Sequence, residues 1–110
     1  MSDTTRAAFL QFIQARIGDT PSLLSGHVSL VGAGPGDPEL LTLRAVRRII
    51  EADVLLYDNL VSQSILSLAS SCAEKHYVGK KAAKHALAQE AVNEWLVQLA
   101  QAGKRVVRLK

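Results

Sequence analysis

Near the N-terminus, Phe9, Leu10, Ile13 and Ile17 recur at helical spacing, with Asp3 or Thr4 suited to cap the start and Gly18 to end it. The spacing predicts a short amphipathic helix. Residues 18–26, which include Asp19, Pro21, Ser22 and Ser25, have the composition of a linker, so the folded domain is expected to begin near His27. A β-prone segment at 28–31 runs into Gly32-Ala33-Gly34-Pro35-Gly36-Asp37, a turn that relies on the backbone freedom of glycine. Asp37 then fits an N-cap and Pro38 the first helical position, predicting a helix to Glu51. Its core face would carry Leu40, Leu43, Val46, Ile49 and Ile50, with Arg44, Arg47 and Arg48 mostly toward solvent. Residues 53–57 read as a buried strand, 62–69 as a short helix and 76–78 as a third strand. A longer helix is expected over 88–102, lined by Val92, Leu96 and Leu99 and closed by Gly103, followed by a Val-rich strand at 105–109.

Strands alternating with helices predict the α/β class: a mostly parallel sheet with helices on both faces. The last strand is of a central type, yet the chain stops at Lys110 with no helix to cover it. An exposed final strand of this kind is expected to be prone to self-pairing. The organisation expected is an N-terminal helix and linker over 1–25 and an incomplete α/β domain over 26–110.

Composition narrows the class further. With 110 residues, 48% apolar and 21% charged, the chain suits one folded unit and excludes two complete domains or disorder. Cys72 is the only cysteine, which excludes an intrachain disulfide and a cysteine-rich zinc site, suggests a reducing cytoplasm and reads as a packing residue rather than a nucleophile. His27, His76 and His85 are scattered without metal-ligand spacing, and no metal is expected. Thirteen basic against ten acidic residues give a net charge of +3, which favours anionic partners but lacks the clustering of a nucleic-acid binder. Apolar runs fall short of the roughly 18 to 20 residues of a membrane span, and Asp3 with the nearby glutamines spoils a signal peptide. A cytoplasmic protein without membrane contact is expected.

Ligands of open parallel sheets bind beyond the carboxyl ends of the strands. Three places there bear chemistry: the 32–37 loop, Asp58, and Gly79-Lys80-Lys81. Glycines between a strand and a helix suit a dinucleotide pyrophosphate, but they equally suit a purely structural tight turn. Pro35 removes one backbone N–H from the loop, which favours a flat apolar or sulfonium-bearing ligand over a phosphate. By spacing alone Asp58 is either an acid–base group or a cap of the next turn, and Lys80 and Lys81 are either functional or solvated turn cations.

Taken together, VGAGPGDPELLTLRA at 31–45, LLYDNLVS at 55–62, YVGKK at 77–81 and GKRVVRLK at 103–110 resemble the uroporphyrinogen-III C-methyltransferases of the tetrapyrrole methylase family, in order and spacing from about residue 26 to the end. The resemblance implies the N-terminal α/β domain of an enzyme that moves methyl groups from S-adenosylmethionine to two ring carbons of uroporphyrinogen III. The product is precorrin-2, the branch point to siroheme and cobalamin. It further implies no metal, a homodimer at full length, Pro35 in contact with the cofactor, Asp58 as proton acceptor and Lys80 as proton donor. Alignment of an already electrophilic methyl with a ring carbon, together with proton management, is the catalysis such residues would supply. His85 falls where the family enters a helix and receives no definite role. Asn59 departs from the arginine common in relatives, which bears on substrate contacts there. Because the family's next glycine-rich segment would follow Lys110, the 110 residues alone are expected to methylate nothing. The competing readings are a methylase of a later cobalamin precursor and a nucleotide-binding or assembly module without catalysis, docking through the N-terminal helix.

Overall fold

The computed structural model describes residues 3–17, 26–79 and 88–110. Helix α1 (Asp3–Ile17) precedes strand β1 (His27–Val31), a 3₁₀ turn at Pro38–Leu40, α2 (Leu43–Glu51), β2 (Val54–Tyr57), α3 (Gln63–Leu66), β3 (Glu74–Tyr77), α4 (Gln89–Gln101) and β4 (Arg105–Leu109). The strands form one sheet in the order β1-β4-β2-β3, with every pair parallel. Parallel strands covered on both faces carry apolar runs rather than strict alternation. Accordingly, Val54, Leu55 and Leu56 in β2, and Val106, Val107 and Leu109 in β4, are all buried.

Odd-numbered positions of β2 and β4, Leu55, Val107 and Leu109, pack with Ile49 of α2 and Ile65 and Leu66 of α3. Even-numbered positions, Val54, Leu56 and Val106, pack with Val92 and Leu96 of α4. Helix α1 lies against α2 through Phe9 and Leu10, which meet Val46 and Ile50. Of the linker expected at 18–26, residues 18–25 lie outside the described residues.

Several expectations change. Strand β4 is not exposed: β1 and β2 flank it, and Val106 to Leu109 are buried. The unpaired edges among the described strands are β1 and β3, because the chain returns β4 into the gap left between β1 and β2. The helix expected from Pro38 to Glu51 is broken. Asp37 does accept a hydrogen bond from the Glu39 N–H (2.9 Å) and Pro38 does begin a turn, but Leu41 is extended (ψ 147°) and Thr42 caps afresh by accepting from the Ala45 N–H at 3.0 Å. Two competing caps split one helix in two. Leu40 and Leu43 therefore stay 64% and 46% exposed instead of joining the core. Arg47, expected toward solvent, is 1% exposed, and its Nε donates to Glu51 at 2.9 Å, which balances the buried charge. Cys72 is exposed rather than packed.

At the N-terminal ends of the central strands, the Asp53 carboxylate accepts from the Arg105 backbone N–H (2.8 Å), Nε (3.2 Å) and Nη2 (3.1 Å). This fork joins the starts of β2 and β4. The guanidinium hydrogen bonds hold the Asp53 carboxyl below its ordinary value, although partial burial opposes them. A carboxyl with a depressed folded pKa stabilises the native state above its unfolded value, near about 4, and that contribution is lost as pH falls through the lower folded value. Both side chains are more than a third exposed, so solvent screening limits the pair to no more than about 1 kcal/mol. Asp53→Asn is thus expected to lower the melting temperature slightly at pH 7, with the gap from wild type closing as pH falls below about 4. A gap of constant size between pH 7 and 3 in thermal melts refutes the ionic origin.

Candidate functional site

Because all four strands run parallel, their carboxyl ends share one rim. The 32–37 loop leaves β1, Asp58 follows β2 and Gly79 closely follows β3. Strand β4 separates β1 from β2, so the loop crosses the end of β4: the Ala33 N–H donates to the Lys110 carbonyl at 2.7 Å, and buried Ala33 anchors the loop in the core. Gly34 (φ 65°) and Gly36 (φ 102°) then take left-handed conformations that disfavour any residue with a Cβ. The Ser62 hydroxyl donates to the Gly36 carbonyl at 2.7 Å and also accepts from the Ile65 N–H at 3.3 Å as the N-cap of α3. One serine thus ties the glycine loop to the segment that carries Asp58.

Asp58 uses one carboxylate oxygen to accept from the Leu60 N–H at 2.9 Å, so it does cap its turn. Its other oxygen lies 3.8 Å from Nη2 of Arg108, and the Asp58 side chain remains 17% exposed at the rim. Gly79 is pressed against this residue: a Cβ there would come within 2.9 Å of the Asp58 Cβ and 3.0 Å of the Asn59 nitrogen. The tips of β2 and β3 are therefore in contact. Of the residues singled out by sequence, Pro35 is exposed on the loop and Asp58 stands at the same rim. Lys80, Lys81 and His85 lie outside the described residues.

Sequence reasoning passed over Ser62, the packing role of Gly79, and Arg108. A serine directly before a helix is a legible cap, but its second bond, to a carbonyl 26 positions earlier, depends on the sheet order.

The surroundings constrain what this rim can bind. The glycine loop opens onto a three-residue 3₁₀ turn, not an α-helix, so the helix N-terminus that receives a dinucleotide pyrophosphate is not formed directly after it. A Cβ at Gly32 or Gly34 would meet nothing within 4 Å. The loop backbone at these glycines is therefore open, with exposed Pro35 beside it and a carboxylate at the same rim. A cleft of about 260 Å³ beside the rim is lined by Leu30, Gly32, Gln89, Asn93, Arg108 and Lys110. A larger one of about 410 Å³, with Asp53, Cys72 and Arg105 in its wall, sits at the opposite end of the strands, away from all three tips. Among the described residues no cluster of His, Cys, Asp and Glu gathers for a metal ion, and no helix is long and apolar enough to cross a membrane.

Comparison with known proteins matches residues 27–110 to the tetrapyrrole (corrin/porphyrin) methylases. A siroheme synthase of Pseudomonas fluorescens (strain Pf0-1) is 55% identical over 100 residues, which cover 91% of this chain and 22% of that protein. The chain spans about a fifth of the length of the curated relatives it matches. Among solved structures, uroporphyrin-III C-methyl transferase from Thermus thermophilus complexed with S-adenyl homocysteine is 54% identical, with a TM-score of 0.62 over 76% of this chain and 34% of that one. A cobalt precorrin-4 methyltransferase is 30% identical, with a TM-score of 0.66 over 84% of this chain and 36% of that one.

Proposed function

Starting from the chain's membership of the tetrapyrrole methylase family, we propose that the protein carrying it transfers methyl groups from S-adenosylmethionine to ring carbons of uroporphyrinogen III, forming precorrin-2 on the way to siroheme. The observation that carries this reading is the meeting of three strand tips: Ser62 binds the proline-containing loop, and Gly79 packs on Asp58. S-adenosylmethionine supplies, when bound, a methyl that is electrophilic without activation. The residues of this chain then have to bind, align and move protons.

In this reading Pro35 and the open backbone around it form the surface against which the methyl donor lies. The carboxylate of Asp58 accepts the proton that the methylated ring releases as conjugation is restored. Lys80, directly after Gly79, donates a proton and attracts a substrate that carries eight carboxylates. The net charge of +3 favours the same polyanion. Residues 26–110 are the methylase part, and residues 1–25 precede it. The siroheme synthase match is too long to be confined to residues 27–110 and so extends into the N-terminal segment, which supports the siroheme branch. We assign the activity to the whole protein, as a cytoplasmic homodimer, and not to these 110 residues alone.

A methylase of a later cobalamin precursor has the weaker support, with 30% identity against 54%. A nucleotide-binding module without catalysis is separated by titration. The intact protein is expected to bind S-adenosylhomocysteine and not NAD, and Pro35→Ser to weaken S-adenosylhomocysteine by about fivefold or more, on the order of 1 kcal/mol. Binding of NAD alone overturns the methyltransferase reading. Unchanged affinity in Pro35→Ser reduces Pro35 to a stiffener of its turn.

A further inference from the structure

A guanidinium held under a helix within a parallel sheet loses its hydration and needs compensation. Arg108 is in that position. It lies in register between Leu30 of β1 and Leu56 of β2, on the face where Val54, Leu56 and Val106 pack against α4, and is 6% exposed. Its Nη1 donates to the Leu109 carbonyl and, at 3.5 Å, to the Leu56 carbonyl. Nη2 is 3.8 Å from the free oxygen of Asp58, and Nε is buried without a partner. An arginine that leaves one buried N–H unsatisfied and meets its carboxylate at this distance is a poor source of stability. Valine or leucine, as at the neighbouring positions 106, 107 and 109, would pack there without that cost.

We infer that Arg108 is the positioning residue of Asp58. The guanidinium is clamped by carbonyls of β2 and β4 and faces one oxygen of the carboxylate, while the Leu60 N–H holds the other. The Leu60 hydrogen bond holds one oxygen, while the guanidinium, 3.8 Å from the other, draws it toward β4 and balances the charge of the carboxylate. An ionised carboxylate offers about four lone-pair sites, so acceptor capacity remains at the rim for an incoming proton. Arg108 acts through Asp58.

The inference rests on Asp58 being the proton acceptor, so the test includes that residue in its own arm. In the intact protein, kcat and the KM for the methyl donor are measured for Asp58→Asn, Arg108→Met, Arg108→Lys and the double variant Asp58→Asn/Arg108→Met. Arg108→Met is expected to lower kcat by about tenfold or more with KM unchanged, yet to change kcat by less than about twofold once Asp58 is already Asn, since nothing is left to position. A merely structural arginine lowers kcat by the same factor in both backgrounds. That additive result overturns the inference, as does wild-type kcat in Arg108→Met. Should Arg108→Met fail to fold, Arg108→Lys carries the same cycle, because an ammonium keeps the charge but not the planar fork that spans two carbonyls and a carboxylate. Full activity in Asp58→Asn removes the proton-acceptor reading and this inference with it. Loss in Asp58→Asn alongside wild-type kcat in the Arg108 variants removes only the inference.

Discussion

Asp58→Asn is expected to reduce the rate of methyl transfer by about a hundredfold or more, the scale on which a positioned acid or base contributes, while S-adenosylhomocysteine affinity stays within about twofold. Asparagine is nearly isosteric, and its amide oxygen still accepts from the Leu60 N–H, so the turn after β2 is retained. What disappears is the anionic acceptor at the rim. The Pro35 loop is held independently, through Ser62 to the Gly36 carbonyl, so donor binding has no reason to follow the loss of rate. Single-turnover assays of the intact protein alongside calorimetric titration separate the two quantities. Wild-type turnover in Asp58→Asn leaves the residue with its capping role alone.

Gly79→Ala carries the second large effect. The added methyl would stand 2.9 Å from the Asp58 Cβ and 3.0 Å from the Asp58 Cα and the Asn59 nitrogen, and two of those three atoms are backbone that cannot swing aside. Relief requires the tips of β2 and β3 to separate. Overpacking of this kind costs about 1–3 kcal/mol, and displacement of a reacting group by about 1 Å lowers rates by roughly a hundredfold. Gly79→Ala is accordingly expected to lower both the melting temperature and methyl transfer. Gly32→Ala is the matched control, since a Cβ there meets nothing within 4 Å and the residue has no left-handed φ. Its stability should remain within about 0.5 kcal/mol of wild type. A melting temperature that falls no further in Gly79→Ala than in Gly32→Ala, measured side by side, contradicts the close approach of Gly79 to Asp58.

Much of the architecture was legible because local chemistry and tertiary packing agree. The helix expected at 88–102 forms as α4, and its stop at Gly103 (φ 86°) follows from the need for a left-handed residue after the last turn. Strand β4 forms at the expected residues. Agreement fails where two local signals compete, as with the caps at Asp37 and Thr42. It fails again where burial depends on a distant partner: Arg47 reads as a solvent-facing helix position, yet it is buried beside Glu51.

The site divides in the same way. Composition and spacing placed Pro35 and Asp58 after strands, and a parallel sheet sends the ends of its strands to a single rim, so their shared location was legible without coordinates. The contacts between those tips were not. Ser62 bridges to Gly36 only because β4 is inserted between β1 and β2, and Arg108 reaches Asp58 only because that insertion sets it in register with Leu56.

Apart from the break at Leu41, amino-acid order alone determined which segments become strands and helices, that the strands run parallel, and that a glycine-proline loop and a carboxylate follow two of them, since these depend on residues close together in the chain. Strand order, the burial of Arg47 and Arg108, and the pressing of Gly79 onto Asp58 were decided by the tertiary structure. Each of those depends on which distant segments share the core, and no local pattern encodes that choice.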